Sequence, residues 1–181
     1  MKIIRSEKGF TLIEMITVTA ILGAIMGVMS MTIGMIPKIS EQSNDQAIAL
    51  RQVQNAGYWI SRDTQRAQHV HKDVTAPDFL IFTWTEWDYG GSSNIYHLVT
   101  YMLQDMPNGA KKFMRRHQDS EGVDEQILIA EYIYYDPAGD PVNSTKVIDY
   151  QSPILTVRIT ALFGEAEMVS RDYEASRRPT F

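Results

Sequence analysis

Lys8-Gly9-Phe10-Thr11-Leu12-Ile13-Glu14 opens the run KGFTLIEMITVTAILGAIMGVMSMTIGMI (residues 8–36), and the reading of this run decides how the rest of the chain is arranged. From residue 10 to residue 36 Glu14 is the only ionisable side chain, and as a helix these residues cover roughly 40 Å, enough to cross a bilayer. Lys2, Arg5 and Lys8 stand directly before the run and no comparable basic cluster follows at once. The positive-inside rule then places the N-terminus in the cytoplasm and everything after Ser40 outside. A secretory signal has a shorter apolar core with a small-residue cleavage site behind it. Here the small residue, Gly9, comes first, so the apolar run is expected to stay in the mature chain.

Glu14 is the informative residue. A carboxylate in hydrocarbon costs on the order of 2.5–3.5 kcal/mol or more unless it is paired or protonated, so it calls for a partner. A cut between Gly9 and Phe10 creates an α-amino group with a pKa of about 8, four residues before Glu14, and such an amine on this or a neighbouring subunit would neutralise it. The plainer reading is a carboxylate near the interface of a simple anchor, snorkelling to water. The stretch KGFTLIEMITVTAILGAI resembles the type III signal sequence of type IV prepilins and type II secretion pseudopilins, matching Gly9, Phe10, Thr11, Leu12, Ile13 and Glu14 consecutively. The resemblance implies that residues 1–9 are a leader cut after Gly9 by a prepilin peptidase and that Phe10 is N-methylated. It also implies that Glu14 docks against the N-terminus of a neighbouring subunit during assembly. Many family members carry a proline two-thirds of the way along the apolar segment. The first proline here is Pro37, so any helix-melting step must use other residues.

Within residues 10–36, read as the transmembrane and assembly helix, Ala20, Gly23, Gly27, Ser30 and Gly34 alternate in spacings of three and four. That puts small residues on one helical face, where a second helix can approach closely. Small residues are also common in membrane helices for no special purpose. Met26, Met29, Met31 and Met35 read as deformable apolar filler.

Residues 37–70 are expected to continue the helix as an amphipathic segment, and from Ile39 to Val70 Gly57 is the only strong breaker. Ala49, Val53, Ala56, Ile60 and Ala67 fall on one face, and Arg51, Gln52, Asn55, Arg62, Asp63 and Arg66 fall on the other, which is expected to meet water or neighbours, with its Arg residues solvated. Residues 71–181 are expected to form a β-rich extracytoplasmic domain. Alternating β-branched and aromatic runs predict strands over 79–86, 95–103, 111–117, 126–136, 154–162 and 167–175. Gly90-Gly91, Asn108-Gly109, Pro137 to Pro141 and Gly164 mark the connections. The fold class is therefore α+β: a long N-terminal helix packed on an antiparallel sheet, read as a meander. The groups RDTQRA (62–67), EYIYYDPAGDP (131–141) and the closing ILTVRITALFGEAEMVSRDYEASRRP (154–179) are more narrowly similar to J-type minor pseudopilins and related minor type IV pilins.

At 181 residues the chain has room for one domain and an appendage. It has no cysteine, which excludes disulfides, thiolate metal sites and a cysteine nucleophile. The net charge of −5 falls to about −7 once the basic leader is removed, a poor balance for non-specific nucleic-acid binding. Lys111, Lys112, Arg115, Arg116 and His117 form one basic cluster, but strand alternation splits it between two faces, and it reads as a charged, solvated edge strand. Of the four histidines only His69 and His71 are close in sequence, and no third ligand is fixed beside them. Asp136-Pro-Ala-Gly-Asp140 gathers oxygen ligands that would suit calcium, but it equally meets the needs of a tight turn. No nucleophile elbow, Walker A loop, H-E-x-x-H or dinucleotide fingerprint occurs.

These features predict a non-enzymatic subunit with no cofactor and no metal, anchored once in the bacterial inner membrane and passing into a pilus or pseudopilus. Its expected partners are other pilin or pseudopilin subunits, the prepilin peptidase and methylase, an inner-membrane assembly platform and membrane lipid, with nucleic acid not among them. A minor subunit that primes or caps the filament is the leading expectation. The alternatives are a major fibre-forming pilin and a membrane-anchored binding module with a prepilin-like leader.

Overall fold

The structure, a computed structural model, describes residues 9–72, 78–88, 93–164 and 168–179. The leader before Gly9, the Gly90-Gly91 connection and Glu167, the expected start of the last strand, lie outside the described residues. The fold is α+β, as the sequence predicts: among the described residues there are one helix, α1 (Leu12–Arg66), and eight strands in a single antiparallel sheet. The chain divides into two compact units, Met1–Gln42 and Ser43–Phe181.

In the first unit the helix carries its apolar residues in the open, from Leu12, 80% exposed, to Met35. Thr17, Thr19 and Thr32 turn their hydroxyls back onto the carbonyls of Ile13 (2.7 Å), Met15 (2.9 Å) and Val28 (2.9 Å). Their polar atoms are thus satisfied within the helix, which suits an apolar solvent. Pro37 lies inside the helix, where its missing N–H leaves the Ile33 carbonyl without its usual partner.

In the second unit the strands are β1 (His69–His71), β2 (Asp78–Asp88), β3 (Ser93–Asp105), β4 (Lys111–Asp119), β5 (Asp124–Ile133), β6 (Lys146–Asp149), β7 (Ile154–Ala161) and β8 (Val169–Ser176). The short strands β1 and β6 were not legible in the sequence. From β1 to β5 the sheet is the expected meander. It then departs from it, because β5 meets β7, while β7 pairs with both β6 and β8. The β5–β7 junction holds one registered pair, Ile133 with Ala161. Just before it Tyr132 adopts a φ of 60°, a left-handed conformation rare for a bulky residue, and the β4–β5 register slips by one residue. This bulge turns the chain and ends β5 at Ile133, three residues short of the predicted end.

Small residues on the helix face large ones on the sheet in one core. Ala49, Val53, Ala56 and Ile60 are buried with Leu80, Phe82, Val99, Tyr101, Phe113, Val157 and Ile159. Phe82 meets Tyr101 edge-on at 5.5 Å, and Phe79 meets Phe113 edge-on at 5.7 Å. Full burial of each such side chain is worth about 1.5–3 kcal/mol.

The helix stops at Arg66, four residues before the expected boundary at residue 70. The physical reason is strand pairing: Gln68 N–H donates to the Thr83 carbonyl (3.0 Å) and its side-chain carbonyl accepts from Thr85 N–H (3.1 Å). Those bonds draw the chain into β1 one residue later.

Candidate functional site

The N-terminus of α1 gathers the residues that the sequence marks out. Thr11 is the N-cap: its hydroxyl accepts from Glu14 N–H (3.4 Å), and Glu14 Oε2 accepts in return from Thr11 N–H (2.9 Å) and Thr11 Oγ1–H (2.8 Å). This is a capping box, T-x-x-E, in which two helix-end donors are satisfied reciprocally. The signal for it is the T-x-x-E spacing of Thr11-Leu12-Ile13-Glu14 at the start of an apolar run. One Glu14 oxygen is thereby held within its own chain, while the carboxylate as a whole remains exposed. Gly9 and Phe10 precede the cap and are exposed too. The Gly9–Phe10 bond therefore lies outside the helix.

Ala20, Gly23, Gly27, Ser30 and Gly34 all lie in α1 and are exposed. A Cβ built on Gly23, Gly27 or Gly34 meets nothing within 4 Å. These glycines are not required by packing within the chain.

In the second unit the polar face of the helix is not simply solvated. Asp63, expected there, is completely buried and takes a bidentate ion pair from Arg115, Nε to Oδ2 at 2.7 Å and NH2 to Oδ1 at 3.0 Å. Tyr101 O–H donates to the same Oδ2 at 2.5 Å, and the Trp59 ring covers the guanidinium at 5.1 Å. Burial, and then the Asp63 charge, hold the Tyr101 hydroxyl well above the usual tyrosine pKa. Asn55 and Gln52 serve the sheet as well. Asn55 Nδ2–H donates to the Ile129 carbonyl (2.5 Å), and Gln52 Oε1 accepts from Glu131 N–H (2.9 Å). These amides satisfy the edge of β5 that β7 leaves uncovered.

The basic cluster is corrected by the same contacts. β4 is an interior strand between β3 and β5, not an edge. Arg115 points into the core, Lys111 pairs with Asp105, Lys112 lies 3.7 Å from Glu131, and Arg116 pairs with Asp124 at 2.5 Å. With its charges already met, the cluster offers phosphate no free row of cations.

His69 and His71 are exposed on β1, and among the described residues no metal-like cluster includes them. Asp136 and Asp140 cap turns: Asp136 Oδ1 accepts from Gly139 N–H (2.8 Å), and Asp140 accepts from the Asn143 N–H (3.1 Å) and side-chain amide (2.9 Å). The histidines that do converge are His97 and His117, from neighbouring strands. Residues 20 apart carry no spacing signal, so only the strand register could have found them.

A family model for the prokaryotic N-terminal methylation motif matches residues 4–30. No curated protein and no solved structure matches the chain. α1 is long and apolar enough over its first part to cross a membrane. The match is confined to the amino-terminal segment, where it marks a methylation-type leader of the kind that prepilin peptidases process.

Proposed function

We propose that the chain is a minor pilin or pseudopilin, a non-enzymatic subunit that primes or caps a type IV pilus or type II secretion pseudopilus. A prepilin peptidase cuts after Gly9, Phe10 becomes the methylated N-terminus, and the segment through residue 36 anchors the protein once in the inner membrane with its C-terminal domain outside. Glu14 then docks against the N-terminus of a neighbouring subunit, and the stripe of Ala20, Gly23, Gly27, Ser30 and Gly34 admits a neighbouring helix. Lateral surfaces of the β domain meet other minor subunits, and an assembly platform in the membrane inserts the protein into the filament. The observation that carries this reading is the methylation motif, which runs from residue 4 into a long helix whose apolar side chains are exposed over its first part. The similarity of residues 131–141 and 154–179 to J-type sequences supports the minor role.

The test is to express the chain with and without a prepilin peptidase and to read the N-terminus of the membrane-extracted product by intact mass and sequencing. A Phe10 start with one added methyl group is the expected result, and an uncut Met1 product overturns it. Glu14 is tested by a pair of variants. Glu14→Gln keeps an oxygen for the Thr11 cap but has no charge, whereas Glu14→Ala loses both. Both are expected to drop out of the sheared filament fraction, and normal incorporation of Glu14→Gln would show that the charge is not what docks.

A further inference from the structure

We propose that His97, His117 and Asp119 form a binding site for a divalent transition-metal ion of the zinc class, on the face of the sheet across β3 and β4. The register places His97 directly opposite Asp119, and His117 is the next residue on the same face of β4. His97 Nδ1 lies 3.2 Å from His117 Nε2. Two nitrogens held at 2.0–2.1 Å by one tetrahedral ion stand about 3.3–3.4 Å apart, so the rings need little movement to share a metal. One ring nitrogen of each histidine and a carboxylate oxygen of Asp119 all lie within 4.8 Å of one another, and no other such triad occurs among the described residues.

The surroundings are those of a supported site. Asp119 is fixed beforehand, because its Oδ1 accepts from the N–H groups of Glu121 and Val123, both at 2.9 Å. The other ring nitrogen of His97, Nε2, lies 3.8 Å from Glu86 Oε2, and Glu86 is itself held by Trp84 Nε1–H at 3.1 Å. A carboxylate that closes from this distance to hydrogen-bond a ligating imidazole would fix its orientation and raise its basicity. The Trp84 ring stacks on both imidazoles, at 5.1 Å on His97 and 6.1 Å on His117, and forms an apolar wall. Two imidazoles and one carboxylate select zinc and its neighbours over calcium or magnesium, which take oxygen ligands. All three residues are half-buried, so a fourth coordination position is open to water or to a donor from another molecule.

The full chain, purified in detergent without a histidine tag and stripped with chelator, is titrated with Co²⁺ and then with Zn²⁺. The expected result is one Co²⁺ per chain with the visible absorption of a tetrahedral ion, displaced by Zn²⁺, and a melting temperature that rises with zinc. His97→Phe and Asp119→Asn should abolish the cobalt spectrum. Glu86→Gln should keep it but weaken affinity about 10–100-fold. Asp119→Asn retains the oxygen that caps the following loop, so an unchanged circular dichroism spectrum separates ligand loss from misfolding. The proposal is overturned if the wild type gives no tetrahedral spectrum, or if the spectrum survives in His97→Phe and Asp119→Asn and disappears when His69 and His71 are replaced.

Discussion

Asp63 and Arg115 show how a residue's neighbours in space outweigh its neighbours in sequence. Each stands in a run of charged residues that reads as solvated, yet together with Tyr101 they form a buried ion pair with a third hydrogen bond on the carboxylate. Such a pair adds little net stability, because desolvation offsets the attraction, but it penalises any register of β3 and β4 that leaves Asp63 alone. Tyr101 makes this testable through pH. The folded state raises its pKa, so it holds its proton more tightly than the unfolded chain does. This contribution to stability is therefore whole below about pH 10 and is lost as pH rises beyond that value. Tyr101→Phe should be less stable at neutral pH by about 1 kcal/mol. Its stability should also fall less steeply than that of the wild type above pH 10 in urea melts across the alkaline range. Parallel curves for the two proteins would dismiss the coupling.

Among the elements, α1 and β8 meet at one glycine. Gly57 was expected only as a weak point in the helix, but the Tyr173 ring lies so close over it that an added Cβ would overlap ring atoms. Tyr173 O–H also donates to the Val53 carbonyl at 3.1 Å. Helix propensity alone predicts that Gly57→Ala stabilises by about 1 kcal/mol. The packing predicts the opposite sign, a loss of about 1–3 kcal/mol from overpacking. Thermal melts of Gly57→Ala, and of the same change combined with Tyr173→Leu, decide between them, since the second change should recover most of the loss. The strands themselves were legible where alternation was strong: β2, β3, β4, β7 and β8 lie near their predicted bounds. β1 and β6 were not, because three or four residues give no period to detect. β5 was read too long because its alternation continues through the Tyr132 bulge.

At the scale of the molecule, the apolar residues left in the open are concentrated before residue 40, whereas the second unit has a closed core of its own. A chain beginning at Ser43 is therefore expected to remain monomeric in detergent-free buffer and to melt cooperatively, with near-UV circular dichroism as the readout. Aggregation, or a spectrum without tertiary signal, would mean that the first unit is needed for the fold. The amino-terminal motif, the apolar helix and the α+β class were determined by sequence, because each is written in consecutive residues or in a short period: Gly9 through Glu14, an apolar run with one charge, alternation over seven or more residues. The β5–β7 junction, the burial of Asp63 against Arg115, the use of Gly57 and the meeting of His97, His117 and Asp119 were decided only by tertiary structure. Each depends on strand register or on which face packs inward, and a shift of one residue in register would carry Tyr101, Arg115, His97, His117 and Asp119 to the opposite face of the sheet.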